Sequence, residues 1–497
     1  MLDALALPET ATTVETADIL IVGTGFSGLC MAIKLQAQDT RNFLILDEAT
    51  EVGGTWRDNH YPGCACDIPS HLYSLSFAPK PDWSRMYPSQ QEIFGYMRAV
   101  ADRYNLRPNI RFGAKIAAAR WDDTRSLWSV RAEDGRLFEG RVLACGMGGL
   151  HVPLIPDYPG SKIFAGPQFH SAAWRHDVDL TGKRVAVIGT GASAIQFVPE
   201  VAKVAAKLHV FQRTPPWILP RPDYAFSEKQ LRRLKHPLLR RLFRTWIYLL
   251  QEMRAPAFLG NQSLAKAGQK MAMQHIASQI KNPALRQKVM PDYVMGCKRV
   301  LLSNDYYPAL AQPNVDVVTH PIAEILPDAV ITEDGKTREI DVIIYGTGFH
   351  TTDALSNLDI TGCHGLTLAE AFADGMHAYN GVTVPGFPNL FLMMGPNTGL
   401  GHNSMVVMIE SQVRYIVSVI RLMRRRGWRA AMVQPAVEEA YNTWLQRRLS
   451  HTVWQTGGCK SWYQDRNGKN TTLWPGLTLE YVWRTRRARG RDYVEVS

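Results

Sequence analysis

The sequence predicts an α/β protein made of two strand–turn–helix–strand units and a helical insertion. Two segments share one layout and a third departs from it. In ADILIVGTGFSGLCMAIKLQ (17–36) a short apolar run passes through a glycine turn into helical periodicity, and FLILDEA supplies the next strand. KRVAVIGTGASAIQFVPEVA (183–202), followed by LHVFQR, repeats that order. Parallel strands joined across a helix form a βαβ unit. Between 226 and 295 the text becomes Leu- and Arg-rich with helical spacing and no strand alternation, which predicts a helical insertion.

The remaining elements follow in order. The first sixteen residues carry Asp3, Glu9 and Glu15, lack the basic start and apolar core of a secretory signal, and are expected to form a mobile tail. Strand text resumes at VDVVTH (315–320), a turn follows at EDGKT, and EIDVIIYGTGF (339–349) gives an apolar strand that runs into glycine. After GFPNLFLMMGPNTGLGHNS (386–404) a helix is expected through VVMIESQVRYIVSVIRLMRR.

The two glycine turns carry the chemistry. Gly23, Gly25 and Gly28 follow a strand and open a helix, the context in which this spacing allows a tight turn, close backbone approach to a pyrophosphate and helix packing on the strand. Nineteen residues after Gly28 stands Asp47, expected to accept hydrogen bonds from a ribose hydroxyl. The second turn holds Gly189, Gly191 and Ala194, and nineteen residues further on stands Arg213 instead of an acid. A carboxylate there would repel a 2′-phosphate, whereas Arg213 with Thr214 can bind one through charge-assisted hydrogen bonds.

These are Rossmann-like units of opposite ribose preference, one for FAD and one for NADPH. Together they predict a flavoprotein that takes hydride from NADPH. No C-x-x-C is present to receive the electrons as in a disulfide reductase, so dioxygen is the expected acceptor. The expected division is 1–150 for the first part of the FAD domain, 160–225 and 296–349 for the NADP domain, 226–295 for the helical insertion, and 350–497 for the rest of the FAD domain with a C-terminal active-site loop.

Composition narrows the class further. A net charge of +11 is concentrated in EKQLRRLKHPLLRRLFR (228–244), RRRGWR and RTRRARGR, with no nucleic-acid motif beside them, so a solvated helix face is the reading and no nucleic acid is expected. No run reaches membrane-spanning length, and membrane association is not expected as a main function, although the basic amphipathic text near 228–244 leaves lipid contact open. Seven scattered cysteines make a poor disulfide framework and suggest a reducing, cytoplasmic compartment; no metal site is expected.

One segment, FAGPQFHSAAWR (164–175), has no duty in this scheme. Alone, it fits an amphipathic turn with an aromatic anchored in a domain seam. With Phe164, Gly166, His170 and Trp174 in register it resembles the F-x-G-x-x-x-H-x-x-x-W fingerprint of the Baeyer–Villiger monooxygenases, class B flavoprotein monooxygenases that use FAD, NADPH and dioxygen. Arg175 departs from that family's Pro or Asp. The resemblance runs from about residue 17 into the C-terminal region.

The resemblance implies roles for further residues. Glu48, Gly53, Gly54, Thr55, Trp56, Tyr73, Ile116 and Met405 join Asp47 in holding FAD, and Thr190, Ala192, Ser193 and Gln196 join the second turn in holding NADP. Lys298 would assist the 2′-phosphate, Trp462 would sit in a mobile loop near nicotinamide and substrate, and Asp67 and Arg299 would be catalytic, Asp67 also contacting FAD and Arg299 NADP. The implied reaction inserts one oxygen of O2 beside a ketone carbonyl, giving an ester or lactone through a C4a-peroxyflavin. Arg299, which cannot be deprotonated in practice, would stabilise the anions along the way, oriented by Asp67. From the residues alone, Asp67 could instead cap a helix in PSHLYS.

His170 and Trp174, four apart, are expected to share one face of a helical turn, with His170 a hydrogen-bonded anchor of the linker between the two units rather than an acid or base. The competing function is a flavin-containing or N-hydroxylating monooxygenase acting on nitrogen or sulfur, which shares both glycine turns but lacks the set Asp67, Trp174, Lys298 and Arg299. A non-catalytic nucleotide sensor is the reading from a different class. Which ketone is used, and the oligomeric state, are not legible.

Overall fold

The computed structural model describes residues 14–351 and 358–496 of the chain. The first sheet takes the strand order Asp359–Thr361, Ile116–Asp122, Leu127–Ala132, Leu137–Cys145, Val14–Val22, Phe43–Leu46 and Ile110–Arg111, with Leu390–Leu392 also pairing Leu137–Cys145. Its central pairing is parallel, from Val14 beside Leu137 to Val22 beside Cys145. The middle of the sheet is apolar on both faces, as strands covered by helices must be: Ile19, Leu20, Ile21 and Ile45 are all buried.

Two expectations change here. Residues 14–16 are not tail: they extend the first strand along Leu137–Glu139. Their side chains are partly or fully exposed, so no apolar alternation announces them; the ladder is made by backbone groups, which side-chain patterning does not report. Residues 1–13 of the expected tail lie outside the described residues. The strand reading also contains no trace of the antiparallel meander that joins Ile116–Asp122, Leu127–Ala132 and Leu137–Cys145.

The second sheet is wholly parallel, in the order Val315–Val318, Lys207–Phe211, Arg184–Ile188, Val342–Tyr345 and Gln168–His170. A small antiparallel sheet, Ile322–Ile325, Ala329–Thr332 and Thr337–Glu339, follows, and Gly335 takes φ 75° in the EDGKT turn. The Leu- and Arg-rich segment folds into five helices: Glu228–Lys235, Pro237–Glu252, Ala255–Phe258, Gln262–Gln279 and Pro283–Val289. The helix Met405–Arg426 is capped by Ser404, ends at Gly427 with φ 72°, and packs on the first-unit helix Phe26–Gln36. Among the described residues no helix is long and apolar enough to cross a membrane.

The fingerprint segment is not the helical turn its spacing suggests. Gln168–His170 is the edge strand of the second sheet, in parallel register with Ile343–Tyr345, and a single 3-10 turn, Ser171–Ala173, separates it from Trp174. His170 and Trp174 therefore do not share a helix face. His170 packs its ring on Phe349 at 5.4 Å, while Trp174 packs on Phe169 and on Phe197, both at 5.3 Å. An i, i+4 pair becomes a face only if the backbone coils, and here strand pairing to Val342–Tyr345 holds it extended.

Each fingerprint residue has a packing reason. A Cβ on Gly166 would lie 2.2 Å from the Asp341 carbonyl oxygen, so only glycine fits. Phe164 is buried in one apolar cluster with Ala186, Ile188 and Phe211 of the second sheet. Burial pushes the His170 imidazole down to about 4, and its Nδ1 accepts the Ala172 N–H at 3.1 Å, so the ring is neutral at physiological pH and acts as a structural acceptor. Arg175 is half exposed and ion-paired with Asp177, so the departing position faces solvent.

Candidate active site

Both glycine turns are shaped by carbonyls that exclude a side chain. A Cβ on Gly28 would lie 1.8 Å from the Gly23 oxygen, and one on Gly189, at φ 108°, would lie 2.4 Å from the Gly346 oxygen. Gly23 has φ 93° and Gly54 φ 50°, and a Cβ on Gly54 would come within 3.1 Å of the Gly25 backbone. The two turns of the first unit thus meet backbone to backbone, leaving N–H groups and no side chains along the crease a pyrophosphate would follow. We expect Gly28→Ala to cost at least about 2 kcal/mol and to give a protein purified without bound flavin; a yellow holoprotein with native melting would overturn this assignment.

Asp47 stands at the end of Phe43–Leu46 as expected, but it is already engaged. Its Oδ2 accepts from Thr24 N–H at 2.7 Å and Thr24 Oγ1 at 2.6 Å, and its Oδ1 from Ala49 N–H at 2.9 Å and Arg57 at 3.3 Å. The carboxylate braces the glycine turn, and a ribose hydroxyl would have to replace one of these donors. Its neighbour Glu48 is exposed and pairs with His151, which Asp58 and Glu48 together push up to about 10. Ile116 opens the meander, and Met405 begins the long helix behind the first turn.

Asp67 and Arg299, 232 residues apart, are brought together. Arg299 donates through Nη2 at 2.5 Å and Nε at 3.1 Å to one carboxylate oxygen of Asp67. Residues 69–77 form turns rather than a helix, so Asp67 caps nothing. The Arg299 side chain is 38% open to solvent and that of Asp67 30%, so the pair is within reach of a bound molecule. Asp67 raises the Arg299 pKa further, against the opposing effect of burial, so the cation is permanent. Trp56 and Tyr73 stand on the same segment, with the indole N–H donating to the Tyr73 hydroxyl at 3.1 Å and Tyr73 packed edge-on against Phe26.

At the second turn, Ala194 opens the helix Ala194–Ala202 with Ser193 before it, and Gly346 packs on the Ala194 methyl. Thr190 donates its hydroxyl to the Thr214 carbonyl at 3.2 Å, which fixes the strand end carrying Arg213. Arg213 is exposed and Lys298 half-buried, and neither makes an ion pair among the described residues. Burial first, then the charge of Arg213, lowers the Lys298 pKa. Asp292 partly offsets the effect of Arg213 on Lys298, and two cations close enough to interact, neither in an ion pair among the described residues, suit a bound anion such as a 2′-phosphate.

Three features escaped the sequence reading. Gln196 is engaged within the protein: it accepts from the Tyr61 hydroxyl at 3.0 Å and donates to the Ala65 carbonyl at 2.9 Å, tying the second unit to the segment before Asp67. Tyr463, beside the half-exposed Trp462, is buried and interacts electrostatically with Arg299 and Asp67; burial pushes its phenol up to about 12. Adjacency to Trp462 in CKSWYQ was the only signal for it.

The third is a correction. Cys297 and Cys459, separated by 162 residues, form a disulfide that joins the residue before Lys298 to the loop carrying Trp462. Odd number and wide spacing argued against any pairing, but spacing is blind to partners that only the fold makes neighbours. Protein purified in air and unfolded without reductant is expected to titrate five thiols, from Cys30, Cys64, Cys66, Cys145 and Cys363, and seven would contradict the bond. Among the described residues no group of three or more His, Cys, Asp or Glu is placed to hold a metal.

Comparison with known proteins agrees with this geometry. The flavin-binding monooxygenase-like family model matches residues 16–355. A protein named Baeyer–Villiger monooxygenase from Pseudomonas aeruginosa is 47% identical over 492 residues, covering 99% of this chain and 93% of that one. Among solved structures, a closed form of cyclohexanone monooxygenase superposes with a TM-score of 0.88 at 27% identity, covering 98% of this chain and all of that one. The OTEMO complex with FAD and NADP matches with a TM-score of 0.88 at 28% identity, covering 96% and 99%. The chain belongs to the flavin-binding monooxygenase-like family, among its Baeyer–Villiger monooxygenases.

Proposed function

We propose that this chain uses FAD, NADPH and dioxygen to insert one oxygen atom beside a ketone carbonyl, giving an ester or lactone. The observation that carries this reading is the Asp67–Arg299 pair, a permanent cation held by a carboxylate and partly open to solvent. Gly23, Gly25, Gly28, Gly54, Thr55, Trp56 and Tyr73 would hold FAD, and Gly189, Gly191, Arg213, Thr214 and Lys298 would hold NADP. Bound FAD, reduced by NADPH, supplies the activated oxygen.

The chain's own groups do the rest. Arg299 stabilises negative charge as it develops on the ketone oxygen, and works best where water is sparse and the donor is already aimed. Asp67 fixes the guanidinium plane through its two N–H contacts and keeps it from swinging to solvent. Tyr463, within electrostatic reach of the pair, keeps its proton because it is buried, so it adds no competing anion. Trp462, three residues after Cys459 and packed on Tyr463 at 4.5 Å, would close over the site.

The test supplies NADPH, O2 and a panel of ketones, with a thioether alongside, and measures ester formation as well as NADPH consumption. Ester or lactone supports the reading; oxidation of the thioether alone would favour the flavin-containing or N-hydroxylating alternative. A cytoplasmic location, proposed from the scattered cysteines, meets one opposing observation in the Cys297–Cys459 disulfide, since such bonds persist mainly in oxidising compartments.

A further inference from the structure

The helix Pro237–Glu252 is amphipathic in an unusual sense: it has a buried face, and opposite it a second apolar face. Phe243, Ile247 and Gln251 turn inward, with Phe243 on the His71 ring and Arg244 donating to the His71 carbonyl at 2.5 Å. Leu238, Leu239, Leu242, Trp246, Leu249 and Met253 point outward and are each between 44% and 65% exposed. At 100° per residue these six fall within one arc of about 100°, so they form a continuous stripe roughly 22 Å long. The stripe continues onto the next surface element: the Leu479 N–H donates to Glu252 at 3.0 Å, and Leu479 and Trp483, one turn apart, are both 58% exposed.

Charge says what covers the stripe. Lys229, Arg232, Arg233, Lys235 and Arg241 lie on this helix and the one before it, are exposed, and make no ion pair among the described residues. From 225 to 254 the acids are Glu228 and the buried Glu252. A protein partner that buried this stripe would leave that surplus of cations to be matched by its own acids, whereas an anionic lipid surface supplies apolar depth and negative charge together. An exposed Trp within a Leu-rich stripe also suits the bilayer interface.

We propose that the outer face of Pro237–Glu252, with Leu479 and Trp483, docks this protein peripherally on anionic membranes. The helix lies in the interface, its Leu and Trp side chains in the acyl boundary and the flanking Lys and Arg at the headgroups. Its inner face rests on the turns that follow Asp67, so docking brings the candidate site next to lipid without any spanning segment.

The test is flotation of the flavin-loaded full chain with vesicles of phosphatidylcholine alone and of phosphatidylcholine with phosphatidylserine in a two-to-one mixture, at low and high salt. The wild type is expected to float with the mixed vesicles and to be released by salt. Leu242→Glu with Trp246→Glu should abolish flotation, and Arg232→Ala with Arg233→Ala should weaken it about thirtyfold. All these positions are exposed, so flavin absorbance and the melting curve should match the wild type. Wild type that sediments with both vesicle types overturns the proposal, as does undiminished flotation of L242E/W246E. A dimer in solution that L242E/W246E dissociates, with no lipid binding, would assign the stripe to a second copy of the chain instead.

Discussion

Arg299→Ala is expected to lower ester formation by about 10²–10³-fold while NADPH still bleaches the bound flavin. The reason lies in what Arg299 touches. Its guanidinium is held to one Asp67 oxygen by two N–H groups, leaving other N–H donors free for substrate. The hydride step develops no oxyanion on the ketone, so it does not need that cation. Rapid anaerobic mixing with NADPH reads the first step, and ester analysis in air reads the second. Ester formation at the native rate would sink the assignment, and loss of flavin reduction alone would move Arg299 from chemistry to cofactor binding.

Two companion variants sharpen it. Arg299→Lys keeps a charge but replaces a planar fork with a point donor that can lose its proton, so partial activity with a new alkaline fall-off is expected. Asp67→Asn removes the carboxylate but keeps the shape, so activity should drop less than in Arg299→Ala, because the cation remains and only its orientation is loosened.

The second large effect is on the choice of reductant. Arg213→Ala should lower kcat/KM for NADPH by about 10–100-fold, the equivalent of the 1.5–3 kcal/mol of one charged hydrogen bond, and leave NADH unchanged. Arg213→Glu should invert the preference by repelling the 2′-phosphate. The pH dependence carries a sign. Burial and Arg213 lower the Lys298 pKa, so in the wild type KM for NADPH should rise as pH climbs toward that lowered value and Lys298 loses its charge. Removing Arg213 removes one of those causes, so the alkaline rise should move to higher pH. A rise that stays in place in Arg213→Ala would show that Lys298 does not share the phosphate.

Much of this site was legible in linear text because its parts are local. A glycine turn between a strand and a helix is set by sterics within a few residues, and the clash of a Gly28 Cβ with the Gly23 oxygen is contained inside one motif. The ribose preference of the two units rested on a single residue at the end of each second strand, and both Asp47 and Arg213 are found there. The fingerprint spacing was visible too, but not its meaning: the segment was read as a helical turn, whereas His170 ends a sheet-edge strand and each of Phe164, Gly166, His170 and Trp174 has its own packing partners.

By itself, then, the sequence determined the α/β class, the two glycine turns and the residue types the chemistry needs, since each depends on neighbours in the chain. Only the tertiary structure decided what depends on neighbours in space. It paired Asp67 with Arg299 across 232 residues, gave Asp47 and Gln196 bracing hydrogen bonds inside the protein, joined Cys297 to Cys459, and set Tyr463 within electrostatic reach of the cation. The physical reason is common to all of these. A side chain's partner is chosen by which segments the hydrophobic cores and strand ladders bring side by side, and sequence separation carries no record of that choice.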